Sequence, residues 1–343
     1  MVIAGAGPAG AVAAHVLAQA GKRVLMADIP FAGTHKIGEA LPAAAGRLLR
    51  DLDLPLPSAP HTPIGGNLSS WGSPDLQASD AMRDPDGPGW RLDRLRFDAD
   101  LLSAARSSGA AHHAAHITTA TRHDALWKIE LDNSTQIEAC WLIDATGRRA
   151  AIVRRHGAKR SRDARLVAIY ALGQPSEGLE LNRTLVETVP NGWWYAARLP
   201  SGAAIVGFHL HPRDAVKLLA QPNGWRDALA RTRHLSRLLD GVAFDTPLRP
   251  VEACGARLDR FSGDGWIACG DAALSFDPVS SQGIFSALHG GMRAARALLE
   301  DDTAAYTESL EAIRQTYLSR WRSLCRSERQ WPDSPFWASY GWD

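Results

Sequence analysis

The feature that most restricts the fold stands at the very start of the chain. Met1-Val-Ile-Ala reads as a short apolar strand and runs straight into Gly5-Ala6-Gly7-Pro8-Ala9-Gly10. A helical stretch from Ala11 to Ala20 follows and stops at Gly21, and a second strand, Val24 to Ala27, ends at Asp28. Each glycine has its own duty. Gly5 allows the tight turn, Gly7 lets backbone approach a pyrophosphate, and Gly10 lets the helix lie against the strand. Pro8 and Ala9 belong to the same phosphate-facing turn. Asp28 falls close to the spacing expected of an acid that grips ribose hydroxyls, and a carboxylate there disfavours a 2′-phosphate. The fingerprint therefore predicts FAD or NAD in preference to NADP.

A second stretch of the same grammar comes late in the chain. Gly265-Trp-Ile-Ala-Cys is a short buried strand by pattern, and it leads into Gly270-Asp271 and then Asp277-Pro278-Val279-Ser280-Ser281-Gln282-Gly283. Gly283 opens an amphipathic segment, with Ile284, Phe285, Leu288, Met292, Ala295 and Leu298 near helical spacing. The order is strand, acidic turn, proline-containing loop, helix N-terminus. Such a helix end aims free N–H groups and partial positive charge at an anion. A simple NAD enzyme needs only the first loop, whereas a flavin needs both. Asp271 would then serve the ribityl–pyrophosphate half. The N–H groups of Gln282 and Gly283 would face the pyrimidine edge of the ring, stabilising its reduced, anionic form by about 0.3–1 kcal/mol.

Composition removes other classes. A net charge of +1 over 343 residues makes no electrostatic case for nucleic acid or a membrane surface. No apolar run approaches the roughly 18 residues of a membrane span. Cys140, Cys254, Cys269 and Cys325 show no zinc spacing, so no metal is expected. Three of them sit in apolar segments, which suits a reducing, cytoplasmic setting. The first residues are already strand, so no signal peptide is expected there, and the strand's shortness suggests a natural start slightly upstream.

Between the two loops the chain divides. An alanine-rich helix follows Gly38-Glu39 and Pro42 to about Leu52. Glu39 could cap its own loop, or the loop could fold over a cofactor, and residue chemistry leaves these even. Residues 54–90 are loop-rich around one strand near Gly66–Trp71. Trp90-Arg-Leu-Asp-Arg94 leads into a helix to about Ser107. Residues 114–143 read as three strands ending in Cys140-Trp-Leu-Ile, and Asp144-Ala-Thr-Gly147 then introduces a helix to about His156. Arg148 and Arg149 read equally as cofactor-loop residues or a solvated face. Residues 165–210 read as antiparallel strands, with turns at Pro190-Asn-Gly192 and Pro200-Ser-Gly202. A polar helical region at 212–239, strands near 242–248 and 250–258, and an outer helix at 303–327 complete the chain.

The fold predicted is α/β. A Rossmann-like FAD-binding domain, of residues 1–60, 90–160 and 250–300, is interrupted by an antiparallel-sheet substrate domain, of residues 61–89 and 161–249. Residues 301–343 add a C-terminal helical region.

Taken together, Gly5-x-Gly7-x-x-Gly10, Gly38-Glu39, Arg94-x-x-Phe97-Asp98, Asp144-Ala-Thr-Gly147, Gly270-Asp271 and Asp277-Pro278-x-x-x-Gln282-Gly283 resemble the FAD-dependent monooxygenase superfamily with the para-hydroxybenzoate hydroxylase fold. The Gly-Glu and Asp-Pro variants are similar to its branch of flavin halogenases and geranylgeranyl reductases. The resemblance implies bound FAD, Arg94 near the cofactor, Gly38-Glu39 near its ring, and Pro278, Ser281, Gln282 and Gly283 along it. It also implies O2 as co-substrate, electrons from NAD(P)H or a reductase partner, and hydroxylation through a flavin C4a-hydroperoxide.

Two departures from the halogenases disfavour halogenation. Their lysine after the Gly-Glu motif has no counterpart, since no lysine stands between Lys36 and Lys128. Their Trp-x-Trp-x-Ile-Pro run is replaced by Gly192-Trp193-Trp194-Tyr195. The latter, with Ser70-Trp71-Gly72, looks more like flavoproteins that mature quinone-containing amine oxidases by hydroxylating a tryptophan in a partner protein. The expected substrate is thus an aromatic small molecule or a tryptophan-bearing partner. The rivals are an alkene or prenyl reductase and a partner-docking maturation flavoprotein.

On a strand, Trp193 and Tyr195 share one face and Trp194 takes the other, so Trp193, Tyr195 and Trp71 are the pocket candidates. His35 and Glu39 are the candidate acid–base groups. His209 and His211 share a face and read as a surface pair at a strand end.

Overall fold

The computed structural model describes residues 1–175, 181–245 and 250–341. Its centre is a six-stranded sheet in the order Ser262–Gly263, Trp266–Ala268, Leu142–Asp144, Val2–Ala4, Leu25–Ala27, Ala111–His113. All pairs are parallel except the first. The strands are short and almost wholly apolar, as sheets covered on both faces require. Register matters most here. Ala4 stands opposite both Ala27 and Asp144, and Asp144 stands opposite Ala268. Four strands thus end level, and the chain leaves each of them on the same edge.

The helix after the glycine turn runs Pro8–Gln19, with Pro8 in its first turn. It starts three residues before the sequence pattern suggests, because proline's fixed φ suits a helix start. Its alanines are buried from Ala9 to Ala18, which lets the Gly283–Leu299 helix approach closely. A Cβ at Gly291 would strike the backbone of Ala9.

The second large element is a seven-stranded sheet in the order Pro250–Glu252, Val167–Gly173, Ala204–Leu210, Gly192–Arg198, Thr184–Val189, Gly66–Ser70, Gln77–Asp80. It is antiparallel except where Thr184–Val189 meets Gly66–Ser70. Three short helices, Pro212–Leu219, Gly224–Ala230 and Leu235–Leu238, occupy the polar region and pack apolar residues under this sheet.

Several sequence expectations shift. The segment 114–143 holds a three-stranded antiparallel sheet, Ile117–His123, Leu126–Leu131 and Gln136–Ala139. The apolar run after it, Leu142–Asp144, is a separate strand of the central sheet. The expected helix to His156 is two 3-10 turns, Gly147–Arg149 and Val153–His156. Near 242–248 only a bridge from Gly173 to Phe244 is found, and 246–248 lies outside the described residues.

The Thr303–Ser327 helix is not merely an outer layer. It buries Tyr306, Tyr317, Trp321 and Cys325, and the chain then turns back so that Trp337 and Tyr340 are buried too. Cys254, Cys269 and Cys325 are free and buried, while Cys140 is exposed. Among the described residues no helix is long and apolar enough to cross a membrane.

Candidate active site

The level strand ends bring the glycine turn, Asp28, the Asp144–Gly147 loop and Gly270-Asp271 to one edge. Gly5 has φ +101°, and the carbonyl of Ala145 occupies the place where its Cβ would be. A Cβ at Gly10 would fall on the carbonyl of Gly5. At Gly7, Gly147 and Gly283, by contrast, a Cβ would meet nothing within 4 Å. Two glycines therefore close the turn, and three leave open space beside it. The Ala6 N–H donates to Asp28 Oδ2 at 2.8 Å, which ties the second strand's end to the turn. The Pro8–Gln19 helix has no side-chain cap, so its first N–H groups face that open space. These residues fit a dinucleotide.

The Asp144 side chain shapes its own loop. Its Oδ1 accepts from the Thr146 N–H and hydroxyl, and its Oδ2 accepts from the Ile152 and Val153 N–H groups. Fully buried, this carboxylate is consumed in shaping the loop that presents Gly147. Arg148, left undecided by sequence, is a clamp. Its guanidinium donates to the carbonyls of Cys254 and Phe276 at 2.6 and 2.8 Å and lies 3.5 Å from Asp271. It joins three cofactor-edge segments that are distant in sequence, so no local pattern could reveal it.

The Gly38-Glu39 loop is held from two sides. Arg94 donates to the carbonyls of Ile37 and Gly38 at 3.0 and 2.7 Å and pairs with Asp98, while Lys36 also reaches Asp98. Glu39 is buried. It accepts from the Tyr195 hydroxyl, from Arg91 at 3.4 Å and from the Gly38 N–H. Arg91 in turn donates to Tyr195 and Thr184. Burial depresses the Arg91 pKa, and Glu39 restores part of it. Glu39 does both: it caps its own loop through the Gly38 N–H and fastens that loop to Tyr195 of the large sheet. His35 lies beside it with an enclosed Nε2 that has no hydrogen-bond partner. Burial lowers the His35 pKa. An enclosed, unpaired imidazole nitrogen of low basicity keeps His35 as the acid–base candidate.

The aromatic strand resolves differently from expectation. Trp194 lies on the far face, stacked on Phe208 at 4.2 Å. Trp193 is buried and stacks on His209 at 3.6 Å, so it is packing rather than pocket wall. His209 itself, read as a surface residue, is buried and meets the Tyr170 hydroxyl at 3.2 Å. Desolvation drives its pKa down to about 3, so it stays neutral. His211 caps the Pro212–Leu219 helix. Trp71 donates to the Leu324 carbonyl at 2.9 Å and meets Trp337 edge-on. Tyr195 alone of the three candidates has its polar group at the Glu39 loop.

Asp277 is the group that sequence could not weigh. It is fully buried, caps the Pro278–Ser280 turn through the Val279 N–H, and accepts from Tyr340 Oη at 2.8 Å. Its own N–H donates to the Tyr317 hydroxyl. Ser281 beyond the turn takes φ +51° and leads to Gln282 and Gly283, which are exposed. Burial pushes the Asp277 carboxyl up to about 7; Val279, Tyr340 and Arg148 pull against it, and Asp163 adds to it. A carboxyl that binds its proton more tightly folded than unfolded stabilises the fold fully below about 4. That contribution is lost as pH rises through 7. The wild type should therefore lose, relative to Asp277→Asn, on the order of a few kcal/mol between pH 5 and pH 8. Urea midpoints of the two proteins at both pH values check this, and parallel changes refute it.

Beside this turn lies a cavity of about 800 Å³ between the Gly283–Leu299 and Thr303–Ser327 helices. Ser280 and Gln282 form one border, and Phe276, Phe285, Ile313 and Trp321 form much of its wall. The aromatic strand does not line it.

Paired nucleotide loops on one edge of a parallel sheet, covered by a large antiparallel sheet, define a flavin-dependent oxidoreductase. Comparison with known proteins narrows this. Residues 73–341 match the model of the tryptophan halogenase family. LodB of Marinomonas mediterranea, described as an FAD-dependent oxidoreductase, is 30% identical over 98% of this chain and 95% of its own length. The chain belongs to the tryptophan halogenase family and is an FAD-dependent enzyme. Among solved structures, the flavin-dependent halogenase CmlS superposes with a TM-score of 0.86 at 23% identity, covering 99% of this chain and 66% of its own. QhpG, a peptidyl tryptophan dihydroxylase, superposes with a TM-score of 0.74 at 22% identity, covering 99% and 77%. Both share the fold.

Proposed function

We propose that the chain is an FAD-dependent monooxygenase that hydroxylates an aromatic substrate, a tryptophan side chain of a partner protein being within that class. The observation that carries this reading is the ring-lined cavity bordered by Ser280 and Gln282, next to the loop expected to run along the flavin. FAD supplies the redox chemistry. In balance, one atom of O2 enters an aryl C–H bond and the other leaves as water, with two electrons from NAD(P)H or a reductase partner. The protein's share is to position the ring and exclude water. In this reading residues 1–60, 90–160 and 250–300 carry the cofactor. Gly5, Gly7, Gly10 and Asp28 hold its ADP half, Asp271 with Arg148 the middle, and Pro278 to Gly283 the ring. Glu39, Arg91 and Tyr195 hold the loop that faces the ring, and His35 is placed to move a proton there.

Halogenation is the family's other chemistry. The absence of any lysine between Lys36 and Lys128 argues against it here. The test is direct: purified holoenzyme receives NADH, a flavin reductase, O2, bromide and candidate aryl compounds or tryptophan-containing proteins. Substrate-dependent oxygen uptake and a product heavier by one oxygen atom are expected. A brominated product, or alkene saturation without oxygen uptake, overturns the reading.

A further inference from the structure

We infer that the cavity between the Gly283–Leu299 and Thr303–Ser327 helices seats the aromatic substrate, and that its charge pattern selects aryl acids over aryl amines; this rests on the monooxygenase reading above. Its volume, about 800 Å³, falls in the range of small-molecule sites, roughly 300–1,000 Å³. The wall is built from rings and branched aliphatics, which take a flat ring by area burial. Its polar groups are mostly neutral, among them Ser280, Gln282, Ser286, Thr316 and Tyr317.

The charges decide the ligand. Among the described residues no aspartate or glutamate lines the cavity, and Arg320 is the one formal cation on its border. Arg320 is exposed and makes no hydrogen bond or ion pair among the described residues. His289, also on the wall, has its pKa lowered by burial and by Arg293 and Arg296, so it adds no second cation beside Arg320. An aryl amine entering would find neutral acceptors but no carboxylate to pair its charge, and would meet the like charge of Arg320 at the border. An aryl carboxylate can leave its ring among Phe276, Phe285 and Trp321 and meet Arg320 at the border. Because Ser280 and Gln282 line the cavity, a ring seated beside them lies against the loop that carries Pro278 to Gly283.

The experiment is equilibrium binding to the FAD-loaded protein, read by calorimetry and by perturbation of the flavin spectrum, without turnover. Indole-3-acetate, indole and tryptamine are the probes. The acid is expected to bind most tightly, indole more weakly, and tryptamine weakest. Arg320→Gln should weaken the acid about tenfold, the equivalent of about 1.4 kcal/mol, and leave indole unchanged. Arg320→Glu should reverse the order of acid and amine. Ile313→Trp, which adds bulk to the cavity wall, should weaken binding of the acid while FAD stays bound. Tryptamine binding as tightly as the acid, no saturable binding of any probe, or acid binding indifferent to Ile313→Trp would each overturn the inference. Acid binding that follows this pattern in a protein that consumes no oxygen would leave the site standing and remove the monooxygenase reading instead.

Discussion

A Gly10→Ala protein is expected to lose both FAD and stability, while Gly7→Ala loses FAD alone. At residue 10 a methyl would fall on the Gly5 carbonyl and lie 3.2 Å from the Ala145 Cβ. The first obstacle is backbone, so no side chain can swing aside. Either the Pro8–Gln19 helix moves off the sheet or the turn opens. Overpacking of this kind costs about 1–3 kcal/mol, sometimes more, and here it also misplaces the N–H groups that receive the pyrophosphate. At residue 7 the backbone has φ −70°, which alanine adopts freely, and a Cβ meets no protein atom within 4 Å. That methyl enters only the space assigned to the cofactor. FAD content from the flavin absorbance and urea midpoints of the apo proteins separate the two effects. A fully yellow, fully stable Gly10→Ala protein would show that the turn does not work as described. A Gly7→Ala protein with unchanged FAD affinity would show that the cofactor does not pass over this turn.

That contrast also explains what could be read from the chain. The glycine turn, Asp28 and the Gly270–Gly283 stretch are local: their chemistry and spacing are carried by adjacent residues, and the central sheet followed from them. Alternation placed Trp193 and Trp194 on opposite faces, as found. It could not say what covers each face. His209 and His211 do share a parity, but His209 sits beneath Trp193 and Tyr170, and its burial depends on strands paired across the sheet. Asp277 and Tyr340 lie 63 residues apart, and Arg148 meets Cys254 across 106. No periodicity encodes such contacts. The cavity is less legible still, because it is a gap between two amphipathic helices whose apolar faces look, in sequence, like ordinary packing.

The Glu39–Arg91 pair gives the other large effect. Both side chains are only 3% exposed, and they are 3.4 Å apart beside the Gly38-Glu39 loop. Glu39→Ala leaves the Arg91 guanidinium buried with only neutral partners, the Tyr195 and Thr184 hydroxyls. Breaking one side of such a pair costs about 3–5 kcal/mol, mostly as the penalty of the stranded charge. Arg91→Met strands Glu39 in the same way, although the Tyr195 hydroxyl and the Gly38 N–H still serve it, so its cost should be the smaller of the two. The double variant Glu39→Leu/Arg91→Met removes both charges, and its stability should recover most of the loss, giving a large coupling energy in the double-mutant cycle. Activity should not recover with it. Without Glu39 the Tyr195 hydroxyl loses its bond to the Gly38-Glu39 loop, so a stable double variant with bound FAD and poor turnover is the expected outcome. Recovery of turnover together with stability would mean that the pair is packing only and that the loop needs no anchor on the large sheet.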